Sequence, residues 1–263
     1  MSRPLHNTSD EKWPDYFERN RHRLMAIPWD AGVAWSVEER DAVAASLQEF
    51  QLGESGEGRH FKMCAARYSA RTGDDDYVRA LDLFIAEEQR HAHELGRVLD
   101  LAGVERLTDS AVNSAFCRLR RLAGLELIIV VLVTAELVAQ VYYKALFQAT
   151  SSPVLKALCR QILRDEVQHV RFQCSQLAKV RRHRFGWVNS VCVALHFLLL
   201  MVTAVVVWRR HGRVMRRSGI GRFAFVRQLA QKFAVARPWM TVSPSRPAIN
   251  LQSRKVTDTT APA

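Results

Sequence analysis

Acidic residues are almost missing from the last third of this chain. Residues 179–263 hold 16 Lys and Arg against one acid, Asp258. The formal charge of +12 therefore belongs to the tail, and residues 1–178 carry a net −3. A protein that is basic all over is excluded. Residues 187–208, WVNSVCVALHFLLLMVTAVVVW, lack Asp, Glu, Lys and Arg altogether. Cysteine is sparse and unpaired: Cys64, Cys117, Cys159, Cys174 and Cys192 form no C-x-x-C, which argues against structural zinc. Scattered on apolar faces, they fit core thiols in a reducing compartment. No nucleic-acid-binding motif is present, so the basic tail is not read as a nucleic-acid surface.

What is present is Glu-x-x-His, three times counting Glu57-x-x-His60, and twice with matching surroundings. Glu88 and His91 form one Glu-x-x-His, and Glu166 and His169 form another. On a helix, residues three apart share a face and can grip one ion together. Each motif has a glutamate about thirty residues upstream, Glu57 and Glu136. Turn signals fall between the members of each pair, Arg71-Thr72-Gly73-Asp74-Asp75 and Thr150-Ser151-Ser152-Pro153. Counted along two helical hairpins, each pair meets at one height, roughly 20 Å from its turn. Four carboxylates and two imidazoles in two matching halves are the ligand set of a two-metal site inside a four-helix bundle.

The same count sets other residues aside. Glu126 falls about 15 Å from the level of Glu166, and Glu54 misses Glu88 by about 5 Å. His60 shares a face with Glu57 but adds a seventh ligand. Surface exposure does not suit Glu136, which lies in the apolar run LELIIVVLVTAELVAQV. An unpaired carboxylate there is costly, and a shared cation offsets that cost. Glu87 and Asp165 each stand one turn before a ligand histidine, where a carboxylate either orients the imidazole or is a solvated helix-face charge. Tyr143 and Tyr68 lie on the ligand faces and are candidates for redox chemistry. Gly53, Gly56 and Gly58 crowd Glu57 and mark a bulge, room for a ligand, or fraying.

The fold expected is all-α: a four-helix bundle followed by a hydrophobic helix and a basic tail. Ser36-Val37-Glu38-Glu39 is a capping box that starts the first helix. Helices are expected near 37–70, 75–102, 115–149 and 153–181. The connection 103–114 is long enough to return along the bundle, which allows an up-down-down-up order. Residues 1–35, with Pro4, Pro14 and Pro28, read as an irregular arm, 36–181 as the bundle, 182–240 as a hydrophobic helix plus a basic amphipathic one, and 241–263 as a disordered tail.

The segments EGRHFKMCAARY, DLFIAEEQRHAHEL, TAELVAQVYYKAL and LRDEVQHVRFQ resemble the ferritin-like superfamily of di-iron carboxylate proteins. They look most like bacterial ferritin-like domain proteins and, more distantly, rubrerythrin, over about 36–181. The resemblance implies two iron ions, with Glu88 and Glu166 bridging, Glu57 and Glu136 terminal, and His91 and His169 on one iron each. Manganese or a mixed pair fits the same ligands. Rubredoxin-type cysteine pairs are missing, so an external electron donor is needed. The function expected is a di-iron oxidoreductase that activates dioxygen or a peroxide. The alternatives are an iron-handling ferroxidase and a non-catalytic metal-binding scaffold.

Residues 187–208 have the length, bounding tryptophans and basic flanks of a membrane-embedded helix. Asn189, His196 and Thr203 recur every seven residues, so one face is expected to meet protein. Residues 221–235 read as a basic helix suited to an anionic membrane surface. The expected partners are thus a membrane, through 187–208 and 221–235, and the electron donor. A homodimer is left open. The bundle is expected in the cytoplasm, at the inner membrane if the source is bacterial, with a soluble protein as the alternative.

Overall fold

The structure, a computed structural model, describes residues 12–56, 58–110 and 124–241. Among these, all regular structure is helical: α1 (Trp13–Asn20), a 3-10 turn (Trp29–Ala31), α2 (Val37–Glu54), α3 (Arg59–Thr72), α4 (Asp75–Leu101), α5 (Leu125–Ala149), α6 (Pro153–Arg181), α7 (Gly186–Arg217) and α8 (Arg222–Thr241). The expected tail 241–263 lies outside the described residues except for Thr241, and so do Cys117 and Glu57.

Several bundle-helix ends fall on their sequence signals. Ser36 Oγ accepts the Glu39 amide at 3.2 Å, the first half of the capping box. The second half is diverted. The Glu39 carboxylate leaves its own helix and accepts from Thr150 Oγ1 and Ser151 Oγ on the turn between α5 and α6, at 2.5 and 2.6 Å. Ser152 caps α6 with Pro153 in its first turn. Gly124, extended, precedes α5, so of the helix expected over 115–149 the described part starts at Leu125, and 115–123 lie outside the described residues.

The first bundle helix is not continuous. It ends at Glu54 and restarts at Arg59, behind Gly58 at φ +64°. A Cβ on Gly58 would sit 2.6 Å from Ile85 Cδ1, so both the left-handed backbone and the close approach to α4 require glycine. The expectation of one helix over 37–70 is corrected to α2 plus α3.

Cross-helix bonds fix the topology. Arg40 at the start of α2 reaches the carbonyls of Ala102 and Gly103 past the end of α4, and Glu39 reaches the end of α5. Lys179 near the end of α6 pairs with Asp74 at the start of α4. Arg181 of α6 pairs with Glu126 at the start of α5. Hence α2 and α6 run one way and α4 and α5 the other, an up-down-down-up bundle.

Of the expected arm, residues 12–35 are more ordered than their prolines implied, and 1–11 lie outside the described residues. Pro14 opens α1, where its missing N–H costs nothing, and α1 lays Phe17 and Asn20 into the bundle. At the other end, α7 runs alongside α5 for its whole length. Arg184 pairs with Glu126, His196 Nε2 bonds Thr134 Oγ1 at 3.1 Å, and Arg217 donates to the Ala149 carbonyl. With α8 packed on α5, α6 and α7, most of α5 is buried, with Leu127, Ala135, Lys144 and Gln148 left exposed. That explains why its sequence is largely apolar.

Candidate metal centre

α4 contributes Glu88 and His91, α6 contributes Glu166 and His169, and α5 contributes Glu136, all pointing into the bundle axis. Their ligand atoms form two overlapping groups, each within 4.8 Å: Glu54, Glu88, His91 and Glu166, and Glu88, Glu136, Glu166 and His169. Either group could hold a metal ion, and Glu88 and Glu166 belong to both. The donor set of carboxylates and imidazole suits iron or manganese.

Glu54 enters where the helix count had excluded it. That count assumed an unbroken helix from Glu57 to the turn. The break at 55–58 voids the register, and Glu54, last residue of α2, faces the cluster. A carboxylate at a helix C-terminus opposes the helix dipole, so a cation there relieves two costs at once. The three glycines flanking the position were the available signal of the break. His60 sits beside Cys64 and belongs to neither group. Glu126 is held by Arg181 and Arg184 at the far end of the bundle.

The donor atoms fit a metal by their lack of other partners. Glu88 Oε1, both oxygens of Glu166, His91 Nδ1 and His169 Nδ1 are buried without a hydrogen bond. His169 Nδ1 lies 2.8 Å from Glu88 Oε1, and His91 Nδ1 lies 3.7 Å from Glu166 Oε1. When each ring keeps a single proton, on Nε2, as a metal ligand does, its Nδ1 lone pair faces carboxylate oxygens. A shared cation resolves that contact.

The Nε2 atoms are held from outside the cluster, and the pairing crosses between helices. Glu87 on α4 sits 2.9 Å from Nε2 of His169 on α6, and Asp165 on α6 sits 3.2 Å from Nε2 of His91 on α4. The expectation that each carboxylate orients the histidine one turn along its own helix is corrected: Glu87 and Asp165 each serve the partner helix. Asn20 of α1 donates to both, to Asp165 at 3.0 Å and to Glu87. Arg90 adds contacts at 2.7 Å to Asp165 and 3.4 Å to Glu87, and Gln161 donates to Asp165 at 2.7 Å. Burial alone would raise both carboxylates, but the bonds from His169 hold Glu87, and those from His91, Asn20 and Gln161 hold Asp165, below their usual range.

Inside the cluster burial would raise Glu136 too, and Glu166 and His169 likewise hold it down, but the balance reverses for the other carboxylates. Burial and the neighbouring carboxylates push Glu54, Glu88 and Glu166 up, while Glu88, Glu136 and Glu87 outweigh burial to raise His169 well above its usual range. Tyr143, fully buried, donates its hydroxyl to Glu54 at 2.7 Å. Tyr68 packs against Tyr77 on α4, with ring centroids 6.1 Å apart, and neither metal group includes it.

A cavity of about 190 Å³ adjoins the cluster. Glu54, Glu88 and Glu136 line one part, Phe50, Val131, Leu132, Val138 and Ala139 supply apolar walls, and Thr203, Val207 and His211 of α7 line it as well.

Solved structures carry the same helical-bundle fold. A Synechococcus protein with aldehyde deformylating oxidase activity superposes with TM-score 0.58 at 19% identity, over 80% of this chain and 94% of that one. An R2-like ligand-binding oxidase variant with a reconstituted Mn/Fe cofactor superposes with TM-score 0.64 at 14% identity, over 88% and 94%. A second variant of that oxidase gives TM-score 0.61 at 14% identity over the same shares. No family profile matches the chain, and no curated protein matches it in sequence.

Proposed function

We propose that the protein is a two-metal oxidase that activates dioxygen and oxidises an apolar substrate seated in the cavity beside the cluster. The observation that carries this reading is the convergence of partnerless buried donor atoms on one point, with an apolar cavity against the same carboxylates. In this reading Glu54 and His91 hold one ion, Glu136 and His169 hold the other, and Glu88 and Glu166 are shared. Two irons, or manganese with iron, would supply the redox chemistry. Glu57 lies outside the described residues, and Glu54 takes its place in the assignment.

The chain's own residues would do the rest. Glu87 and Asp165 would keep both imidazole Nδ1 atoms aimed inward, with Asn20 and Arg90 holding the two anions. Phe50, Val131 and Leu132 would exclude water and select an apolar chain. Tyr143 would hold the proton nearest Glu54. Reducing equivalents would come from an external donor, since the chain has no cysteine pair for a second redox centre. The oxidase would work at a membrane, with α7 as the attachment.

The test is dioxygen uptake by the reduced, metal-loaded protein, with an electron donor and a series of long-chain alcohols, aldehydes and fatty acids. Sustained uptake coupled to oxidation of one class is expected. Ala139→Trp, which fills the cavity, should stop that oxidation without changing metal content. Uptake that ends once Fe(II) is consumed, and that ignores Ala139→Trp, would contradict the reading and indicate iron handling instead.

A further inference from the structure

The outer face of α7 is unlike any other surface of the described protein. Trp187, Val191, Leu195, Leu198, Val202 and Val205 are each between 50% and 71% exposed. At 100° per residue these six fall within an arc of about 80°, a stripe about 27 Å long. The opposite side of the same helix carries His196, Leu200, Thr203, Val207 and His211, all buried against the bundle. α7 therefore has a finished inner face and an unpartnered outer one. Solvent-facing residues of a soluble helix are polar, so a continuous apolar stripe marks an interaction surface.

Charge selects the occupant. Beyond Val205 the same arc continues as Arg209, Arg213 and Arg216, all exposed. At the other end Arg182 and Arg184 flank the helix, also exposed. An apolar stripe with arginines at both ends matches the boundary between acyl chains and anionic headgroups. A crossing orientation does not suit this helix. α7 is packed along the full length of α5 and ion-paired to the bundle at both ends, through Arg184 with Glu126 and Arg213 with Asp41. Threading it through a bilayer would carry charged bundle surface into hydrocarbon. On α8 Phe225, Leu229, Phe233 and Ala236 are buried in the protein and only Phe223 and Val235 are large exposed hydrophobics, so α7 supplies most of the apolar contact.

We infer that α7 lies along an anionic bilayer surface, its outer stripe in the acyl boundary and Arg182, Arg209 and Arg216 among the headgroups. The protein docks on one leaflet and does not span. This names the membrane partner of the reading above and its geometry, but it does not depend on the metal site. The inner side of the same helix lines the cavity at Thr203, Val207 and His211. One helix thus separates the lipid contact from the substrate cavity, the placement an apolar substrate drawn from a bilayer requires.

The test is co-sedimentation of the full-length, detergent-free protein with preformed vesicles of phosphatidylcholine, with and without 30% phosphatidylglycerol. Oligomeric state is measured by light scattering in parallel, and metal content on every variant. Binding from aqueous solution is expected, at least tenfold stronger with phosphatidylglycerol and weakened by salt. Leu195→Glu with Val202→Glu should abolish it, and Arg209→Gln with Arg216→Gln should remove the anionic preference, both with unchanged metal content and helicity. Absence of binding to either vesicle, or binding indifferent to the stripe variant, would overturn the inference. So would a dimer that dissociates on Leu195→Glu, because a second copy would then be the occupant. Loss of vesicle binding with full metal loading, or the reverse, tells failure of this inference from failure of the oxidase reading.

Discussion

Glu87 on α4 accepts a hydrogen bond from His169 on α6, not from His91 one turn along its own helix. Asp165 returns the arrangement from α6 to His91. Each half of the bundle thus holds the imidazole of the other half. The two halves are tied by four side chains even before a metal is considered, and Asn20 closes the pair from α1.

The crossing has a measurable signature. Glu87→Ala should weaken the ion held by His169, and Asp165→Ala the ion held by His91, each by about 10–100-fold. Combining each variant with His91→Ala or His169→Ala in a Co(II) titration reads this out. Glu87→Ala should add little to His169→Ala and much to His91→Ala. The reverse pattern would mean that the carboxylates act along their own helices. Asn20→Ala, which strips a donor from both carboxylates, should weaken both ions and lower stability by about 1–3 kcal/mol.

Glu54 and Tyr143 form the second testable pair. Glu54→Ala should reduce metal occupancy, because it removes a donor from one of the two groups. Tyr143→Phe should leave metal content intact and cost about 1 kcal/mol, the worth of one buried hydrogen bond. Metal counting and thermal unfolding of the two variants check this. Full occupancy in Glu54→Ala would remove Glu54 from the ligand set.

Gly58→Ala should destabilise the protein by about 2–4 kcal/mol, since it combines a left-handed backbone with a Cβ in contact with Ile85. Shortening the neighbour with Ile85→Val should recover only the steric part. Urea unfolding of the single and double variants separates the two terms.

The seam between α7 and the bundle should be acid-sensitive. His196 and His211 are buried, and burial, with nearby Arg181 and Arg210 respectively, lowers each to about 4. The unfolded chain keeps them near 6.5 and so binds more protons between pH 6.5 and 4. Their contribution is therefore complete above about pH 6.5 and is lost as pH falls towards 4, on the order of 3 kcal/mol per histidine. Thermal unfolding from pH 7 to 4.5 should show a steeper decline for the wild type than for His196→Gln with His211→Gln. Equal slopes would contradict the assignment.

The repeat of Glu-x-x-His and the turn signals made the bundle legible. The arm count from Glu136 to Glu166 followed from fixed helix rise, whereas the count from Glu57 assumed an unbroken helix that stops at Glu54. Glu136 could be picked out because a lone carboxylate in an apolar run demands a partner. The seven-residue polar stripe of α7 correctly placed His196 and Thr203 against protein, where Thr134 meets His196. What stayed hidden depends on breaks and on other helices. Glu54 required knowing that α2 stops four residues short of Gly58. Asn20 lies in a segment whose prolines read as irregular. The crossing of Glu87 and Asp165 depends on how α4 and α6 rotate about each other, which helical spacing does not encode. The outward half of α7 was also ambiguous, since an apolar run of that length serves a spanning helix and a surface one alike.

The central claim is that Glu54, Glu88, Glu136, Glu166, His91 and His169 hold two metal ions. Anaerobic Fe(II) loading followed by metal counting tests it most directly, on the wild type and on Glu88→Ala, which removes a residue common to both groups. The account expects two irons per chain in the wild type and fewer than one in the variant, with helicity unchanged. No bound iron in the wild type, or the same count in Glu88→Ala, would contradict it.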